Sequence, residues 1–175
     1  MQPLTAEEWA ELLTSCRQSA SHLEMRDSYA AEDEKNRLER FLATGRRDHA
    51  AEYPERREWL DLTRHVTGSG VRVRRARIVS EPVSDYIRFE WHGAEPTIEA
   101  GEDLRWLPRR LASGIALPGN DFWLLDEHRA MFNHFSGDGV PLGQEITDDP
   151  AVVELCRSAF EAVWKSAVPH HEYKI

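Results

Sequence analysis

The 175-residue sequence predicts an α/β fold, with a central mixed, largely parallel sheet and helices on both faces. Three observations carry this expectation. Trp59, Leu62 and Val66 stand at i, i+3 and i+7, then Gly68-Ser69-Gly70 breaks the helix and the strand VRVRRARIV (71–79) begins at once. A helix, a glycine break and a valine-rich strand make an αβ unit, from which parallel pairing follows. FWLLD (122–126) and RAMFNHF (129–135) read as two tightly joined strands. Near the C-terminus, Val152, Cys156, Ala159, Phe160, Val163 and Ala167 form one apolar stripe at helical period.

The remaining elements follow in chain order. Thr5 and Glu8 form a capping box, with Leu4 and Trp9 as its hydrophobic staple, so a first helix runs through Trp9, Leu12, Leu13 and Cys16. HLEMRDSY (22–29) alternates Leu23 and Met25 against His22, Glu24 and Arg26, which predicts a strand. A charged run over 32–40 leads to Phe41, Leu42 and the stop Gly45, a short helix. Residues 46–54 read as irregular, and the third helix is expected to start at Glu55. After Pro82, Val83, Ile87 and Trp91 suit a helix, while Ile87, Phe89 and Trp91 equally suit a strand. GEDLRWL (101–107) predicts a short strand, 109–119 a loop, and Gly137, Gly139 and Pro141 the end of the strand pair. Asp149 caps the last helix with Pro150 in its first position, where no N–H is needed. The organisation expected is a single α/β domain over 1–168 and a loose tail over 169–175.

Composition excludes several function classes. The net charge is −9, whereas a nucleic-acid binder usually presents a basic field, so direct nucleic-acid binding is not expected. Cys16 and Cys156 lack metal-ligand spacing and are expected to be reduced, buried thiols of a cytoplasmic protein. The N-terminus reads as no signal peptide, and no apolar run approaches the ~18 residues of a membrane span. No phosphate loop, Ser-His-Asp order or HExxH motif is present. His128 and His134 would lie about 20 Å apart along a strand, too far to share a metal. No metal and no cofactor is implied. Six tryptophans are read chiefly as core, with Trp106, Trp123 and Trp164 inside or beside predicted elements.

Gly70 to Ile78 (GVRVRRARI), Gly119 to Asp126 and Phe160 to Trp164 (FEAVW) together resemble one half of the phospholipase D superfamily. The chain also resembles, over nearly its whole length, an actinobacterial domain family without established activity, often encoded near helix-turn-helix regulators. HLEMRDSY (22–29), VRVRRARIVSEPVSDYIRFE (71–90), GEDLRWLPR (101–109), GNDFWLLD (119–126), FNHFSGDG (132–139) and DPAVVELC (149–156) carry that resemblance. The phospholipase D resemblance implies the motif HxKxxxxD. Setting its aspartate on Asp126 puts Gly119 at the nucleophilic histidine and Asp121 at the phosphate-binding lysine. A glycine cannot attack phosphorus, and a carboxylate repels phosphate, so the resemblance implies an inactive site. Pairing of two copies across their sites is also implied by it.

The candidate site residues form one charged set: Glu24, Arg26, Arg74, Arg77, Tyr86, Glu102, Arg105, Asp121 and Asp126. Alternation sends Arg72 and Arg74 to one face of their strand, Arg75 and Arg77 to the other. Arginines in a covered strand need carboxylate partners or an anionic ligand, and Glu24, Glu102 and Asp121 are the carboxylates expected for Arg74 and Arg77. Two functional classes stand open. One is a non-catalytic regulatory or interaction module partnering a protein such as a helix-turn-helix regulator, without membrane association. The other is a ligand-binding protein or enzyme that reuses a charged crevice at the carboxyl ends of the strands.

Overall fold

The computed structural model describes residues 3–175. Its elements are α1 (Ala6–Thr14), β1 (Ser19–Glu24), α2 (Lys35–Thr44), α3 (His49–Gly68), β2 (Arg72–Val79), α4 (Asp85–His92), α5 (Glu95–Glu99), β3 (Asp103–Pro108), β4 (Phe122–Leu125), β5 (Arg129–Phe135), β6 (Pro141–Thr147), α6 (Pro150–Ser166) and β7 (Val168–Pro169). The seven strands form one mixed sheet in the order β6-β5-β4-β1-β2-β3-β7. Parallel pairing is confined to β1–β2 and β2–β3, while the other four pairings are antiparallel. The αβ unit thus sets the middle of the sheet, and hairpins extend its β4 side.

Local chemistry fixes most boundaries. The capping box closes as expected: Thr5 Oγ1 accepts from the Glu8 amide at 3.2 Å and Glu8 Oε2 from the Thr5 amide at 2.7 Å. Gly45 ends α2 in the left-handed region at φ 67°. Asp149 accepts from the Ala151 and Val152 amides at the start of α6. The ambiguous segment after Pro82 is the helix α4, because Ser84 accepts from the Ile87 amide as its N-cap.

Four expectations are corrected. The first strand lies earlier than 22–29: small Ser19, Ala20 and Ser21, buried on both faces, begin β1, and Asp121 receives the Met25 amide just beyond its end. Helix α3 starts at His49 and carries Pro54 internally, since Asp48 caps it by accepting from the Ala51 amide. β6 was hidden because it is an edge strand with Leu142 and Ile146 about half exposed, which blurs the apolar pattern. The tail over 169–175 is not loose. β7 pairs with β3, Tyr173 stacks on Trp106 at 5.8 Å, and Trp106 Nε1 donates to His170 Nδ1 at 3.0 Å.

The sheet has two different faces. Leu23, Ile78, Leu107 and Phe122 meet Phe160 and Val163 of α6 in one wholly buried apolar layer. On the opposite face, Val71, Val73 and Trp123 pack beneath α1 and α3, while Val79, Leu104 and Trp106 pack with α4. The two apolar clusters on that second face flank a charged gap. Cys16 and Cys156 are buried free thiols, as expected. None of the described helices is long and apolar enough to cross a membrane.

Candidate functional site

The gap between those clusters is a cavity of about 430 Å³ at the carboxyl end of β1 and β2, roofed by residues of α2, α3 and α4. Strand period puts its floor together: His22 and Glu24 of β1 lie beside Arg75 and Arg77 of β2, and all four point to the same face. Arg75 gives Nε to Glu102 at 2.5 Å and Nη1 to Glu24. Arg77 forms an ion pair through Nη1 with the other oxygen of Glu24 at 2.7 Å and gives Nη2 to Glu90 of α4. Glu24 therefore bridges two guanidiniums, and the floor holds three carboxylates against two arginines. Both arginines are held firmly charged, because Glu102 and Glu24 flank Arg75, and Glu24 and Glu90 flank Arg77, outweighing burial.

His22 stacks on Trp123 at 4.3 Å and sits 3.3 Å from Glu24. Burial, reinforced by Arg75 and Arg77, drives its pKa well below the ordinary value, so the imidazole is neutral. Two more carboxyls line the walls. Asp121 accepts from the Met25 amide at 2.8 Å and from the Tyr29 hydroxyl. Burial, with Glu24 nearby, raises its pKa to about 6. Glu34 accepts from the Tyr86 hydroxyl at 2.6 Å, and burial beside Glu90 raises its pKa to about 7. Neither has a guanidinium or ammonium within salt-bridge reach among the described residues.

The roof is built from arginines that are already engaged. Arg47 grips Glu52 through Nε at 2.9 Å and Nη2 at 2.6 Å, donates Nη1 to the Phe89 carbonyl at 2.7 Å and lies 3.8 Å over the Phe89 ring. Gly93 leaves room for this guanidinium: a Cβ there would lie 2.1 Å from Arg47 Nη1, so Arg47 would have to shift from its present partners. Arg56 donates to the Gly93 carbonyl and Thr97 Oγ1, both at 2.9 Å. Seven carboxyls (Glu24, Asp33, Glu34, Glu55, Glu90, Glu102, Asp121) and five guanidiniums (Arg37, Arg47, Arg56, Arg75, Arg77) line the cavity.

Of the sequence candidates, Glu24, Arg77, Tyr86, Glu102 and Asp121 meet here. The others do not. Arg74 turns to the α6 face, where it pairs with Glu161 at 2.8 Å and lies 4.7 Å over Phe160, because it is offset by an odd number of residues from Arg77. The expected carboxylates therefore serve Arg77 through Glu24, not Arg74. Arg105 shares the α6 face, 4.3 Å over Trp164. Arg26 lies past the end of β1, 5.4 Å over the Phe135 ring. Asp126 is at the far end of the sheet, where it accepts from the Arg17, Gln18 and Ser19 amides at 2.7–2.9 Å. Sequence reasoning left Arg75, Glu90, His22, Tyr29 and Glu34 out of the set. Alternation along β2 was signal enough for Arg75, whereas Glu90 needed the helical reading of α4.

His128 and His134 take separate partners, the Asp126 carbonyl at 3.3 Å and Glu145 at 3.1 Å. Among the described residues no group of three His, Cys, Asp or Glu side chains is placed to hold a metal.

The family model described as "Domain of unknown function (DUF6879)" matches residues 7–175, and the chain belongs to that family. No curated protein matches the sequence. Among solved structures, the phospholipase D family member NUC from Salmonella typhimurium is similar with a TM-score of 0.51 at 11% identity, over 95% of this chain and 88% of that one. NucT from Helicobacter pylori is similar with a TM-score of 0.50 at 12% identity, over 93% and 89%. At such identities the likeness concerns the fold alone: the chain is phospholipase D-like in architecture.

Proposed function

We propose that this member of the domain-of-unknown-function family is a non-catalytic binding module, in which the crevice of a phospholipase D-like fold has been refilled by an arginine–carboxylate network. The observation that carries this is the state of Arg75 and Arg77. Both guanidiniums are spent on Glu24, Glu90 and Glu102, so the floor offers phosphate no free cation. Gly119, which the phospholipase D resemblance sets at the nucleophile, is exposed and outside the cavity lining, and Asp121 brings a carboxyl where that chemistry needs an ammonium.

The purified protein is expected to leave a chromogenic phosphodiester untouched above background at any pH or metal addition. Turnover that tracks the protein and disappears in Arg77→Met folded to wild-type ellipticity would overturn the reading. Its finer parts are that the module acts in the cytoplasm of an actinobacterium and regulates by engaging a protein, a helix-turn-helix regulator in the first instance. The surplus of acidic side chains favours a basic partner, whose association should slow as salt rises. Titrating the neighbouring regulator against the protein at low and high salt measures this, and absence of association at low salt would remove the regulator from the proposal.

A further inference from the structure

We infer that the crevice is a recognition site for an organic cation, an alkylammonium or guanidinium group presented to Asp121 and Glu34 over the floor of Arg77 and Glu24. This rests on the binding-module reading and assigns its ligand class. Three independent features lead to it. The cavity of about 430 Å³ is large enough for an amine with a short chain. The charge of its floor and of the walls at Asp121 and Glu34 is unbalanced toward the negative: the two floor arginines face three carboxylates, and the two wall carboxyls have only tyrosine hydroxyls and one amide as partners, while Arg56 in the roof is turned to the Gly93 carbonyl and Thr97. An arriving anion would meet a centre already negative, whereas a cation completes it. The third feature is Glu102, whose side chain is 1% exposed and lines the cavity. Its Oε1 takes Arg75 Nε, while Oε2 has no hydrogen-bond partner. A buried carboxylate oxygen left without a donor is costly unless a ligand N–H supplies one.

The walls suit such a guest. Tyr29 and Tyr86 stand 5.7 Å apart as tilted rings beside the two free carboxyls, and Phe135 lies 5.1 Å from Tyr29. Aromatic faces next to carboxylates attract ammonium and guanidinium groups by adding ring-quadrupole attraction to the ionic one. The raised pKa values of Asp121 and Glu34 accord with this arrangement, because each carboxyl lacks the cation that would hold it ionised. The groups facing Asp121 are Glu24, Arg26 and Tyr29, and those facing Glu34 are Asp33, Tyr86, Glu90 and Arg77. A bound cation should therefore displace protons, and binding should weaken as pH falls from about 7 to below about 6.

The test is calorimetric and thermal titration of the full chain with agmatine and n-butylamine, with inorganic phosphate as the anionic counterpart and a lysine- and arginine-rich peptide as the macromolecular source. The expected result is saturable binding and a raised Tm with a cation at about 10 mM or below, and no response to phosphate. Asp121→Asn and Glu34→Gln keep side-chain shape and remove the charge, and each should weaken binding at least about tenfold. If the free amines bind, the guest is a small molecule. If only the peptide binds, and both variants abolish it, the guest is a basic side chain of a protein. Silence with every cation, binding that survives both substitutions, or a phosphate response in their place would overturn the inference. A phosphate response without phosphodiester turnover would sink it while leaving the non-catalytic reading intact.

Discussion

One strand sends arginines to both faces of the sheet, and the two faces treat them differently. Arg74 goes to the α6 side, where its partner Glu161 is 46% exposed and its guanidinium lies over Phe160 and Trp164. Arg105 does the same over Trp164 and donates to its carbonyl at 3.3 Å. There the guanidiniums lie on aromatic rings, and the one carboxylate they meet is open to water. Arg77, three residues on, lies under α4 with every carboxylate it touches at most 14% exposed. The lesson is that burial of the partner, and not of the arginine alone, separates a rim contact from a network: both arginines are under a tenth exposed.

That difference predicts the largest effect. Arg77→Met leaves Glu24 and Glu90 buried without their shared cation, and the loss is expected to be about 3–5 kcal/mol. Urea unfolding at pH 7 measures it. A loss below about 1 kcal/mol would place Arg77 in the same class as Arg74 and erase the contrast. Glu24→Gln should fall in the same range, because Glu24 holds Arg75 and Arg77 together.

The second effect belongs to the crevice face alone. Glu34 is half-buried and its pKa is raised to about 7 by burial and by Glu90. A carboxyl whose folded pKa exceeds its unfolded one binds more protons in the native state, so stability falls as pH rises through the interval between the two. The interval here runs from about 4.5 to about 7. Glu34→Gln should remove a fall of about 2 kcal/mol, discounted for partial exposure, visible as the difference between wild-type and variant melting curves from pH 4.5 to 7.5. Equal slopes in the two proteins would mean that Glu34 titrates as it does in the unfolded chain.

The architecture was largely legible because each element carries its own local signal: the capping box at Thr5, the glycine break before β2 and the Asp149-Pro150 start of α6. What escaped was set by distant partners. β1 begins on Ser19 and Ala20, residues with no apolar period, because β2 and β4 flank it and both of its faces are covered. The tail docks through Tyr173 and His170 onto Trp106, about 65 residues away in sequence, and a polar C-terminal run gives no hint of that. The site was half legible. Strand alternation separates Arg74 from Arg77, whereas charge type alone puts both in one candidate set. Tyr29 and Glu34 lie in a loop and a helix start, where no period tells which way a side chain points.

On the α6 face the corresponding substitution should be mild. Arg74→Met gives up the guanidinium's contact with the Phe160 and Trp164 rings and an ion pair whose carboxylate already sees water. About 1 kcal/mol is the expected loss, with cation binding in the crevice unchanged. A cost matching that of Arg77→Met would show that the α6 face also holds its arginine in a closed network.

The smallest effect tests the two ends of β1 in place of the two faces of the sheet. Asp126 follows β4 at φ 48°, in the left-handed region, and its carboxylate receives the amides of Arg17, Gln18 and Ser19. Those three bonds hold the Asp126 pKa below the ordinary carboxylate value, against the desolvation that would raise it. Its stabilisation is therefore present above the unfolded pKa and is lost as pH falls through the folded one, opposite in sign to that of Glu34. Asparagine tolerates the same backbone region and keeps one acceptor oxygen, so Asp126→Asn should cost no more than about 1 kcal/mol at pH 7. The loss should shrink as pH falls below the unfolded carboxylate value and on through the lower folded one. The crevice lies at the other end of the strand, so agmatine titration of the variant should match wild type. A weakened titration would place Asp126 in the binding machinery and join the two ends of β1 that the structure keeps apart.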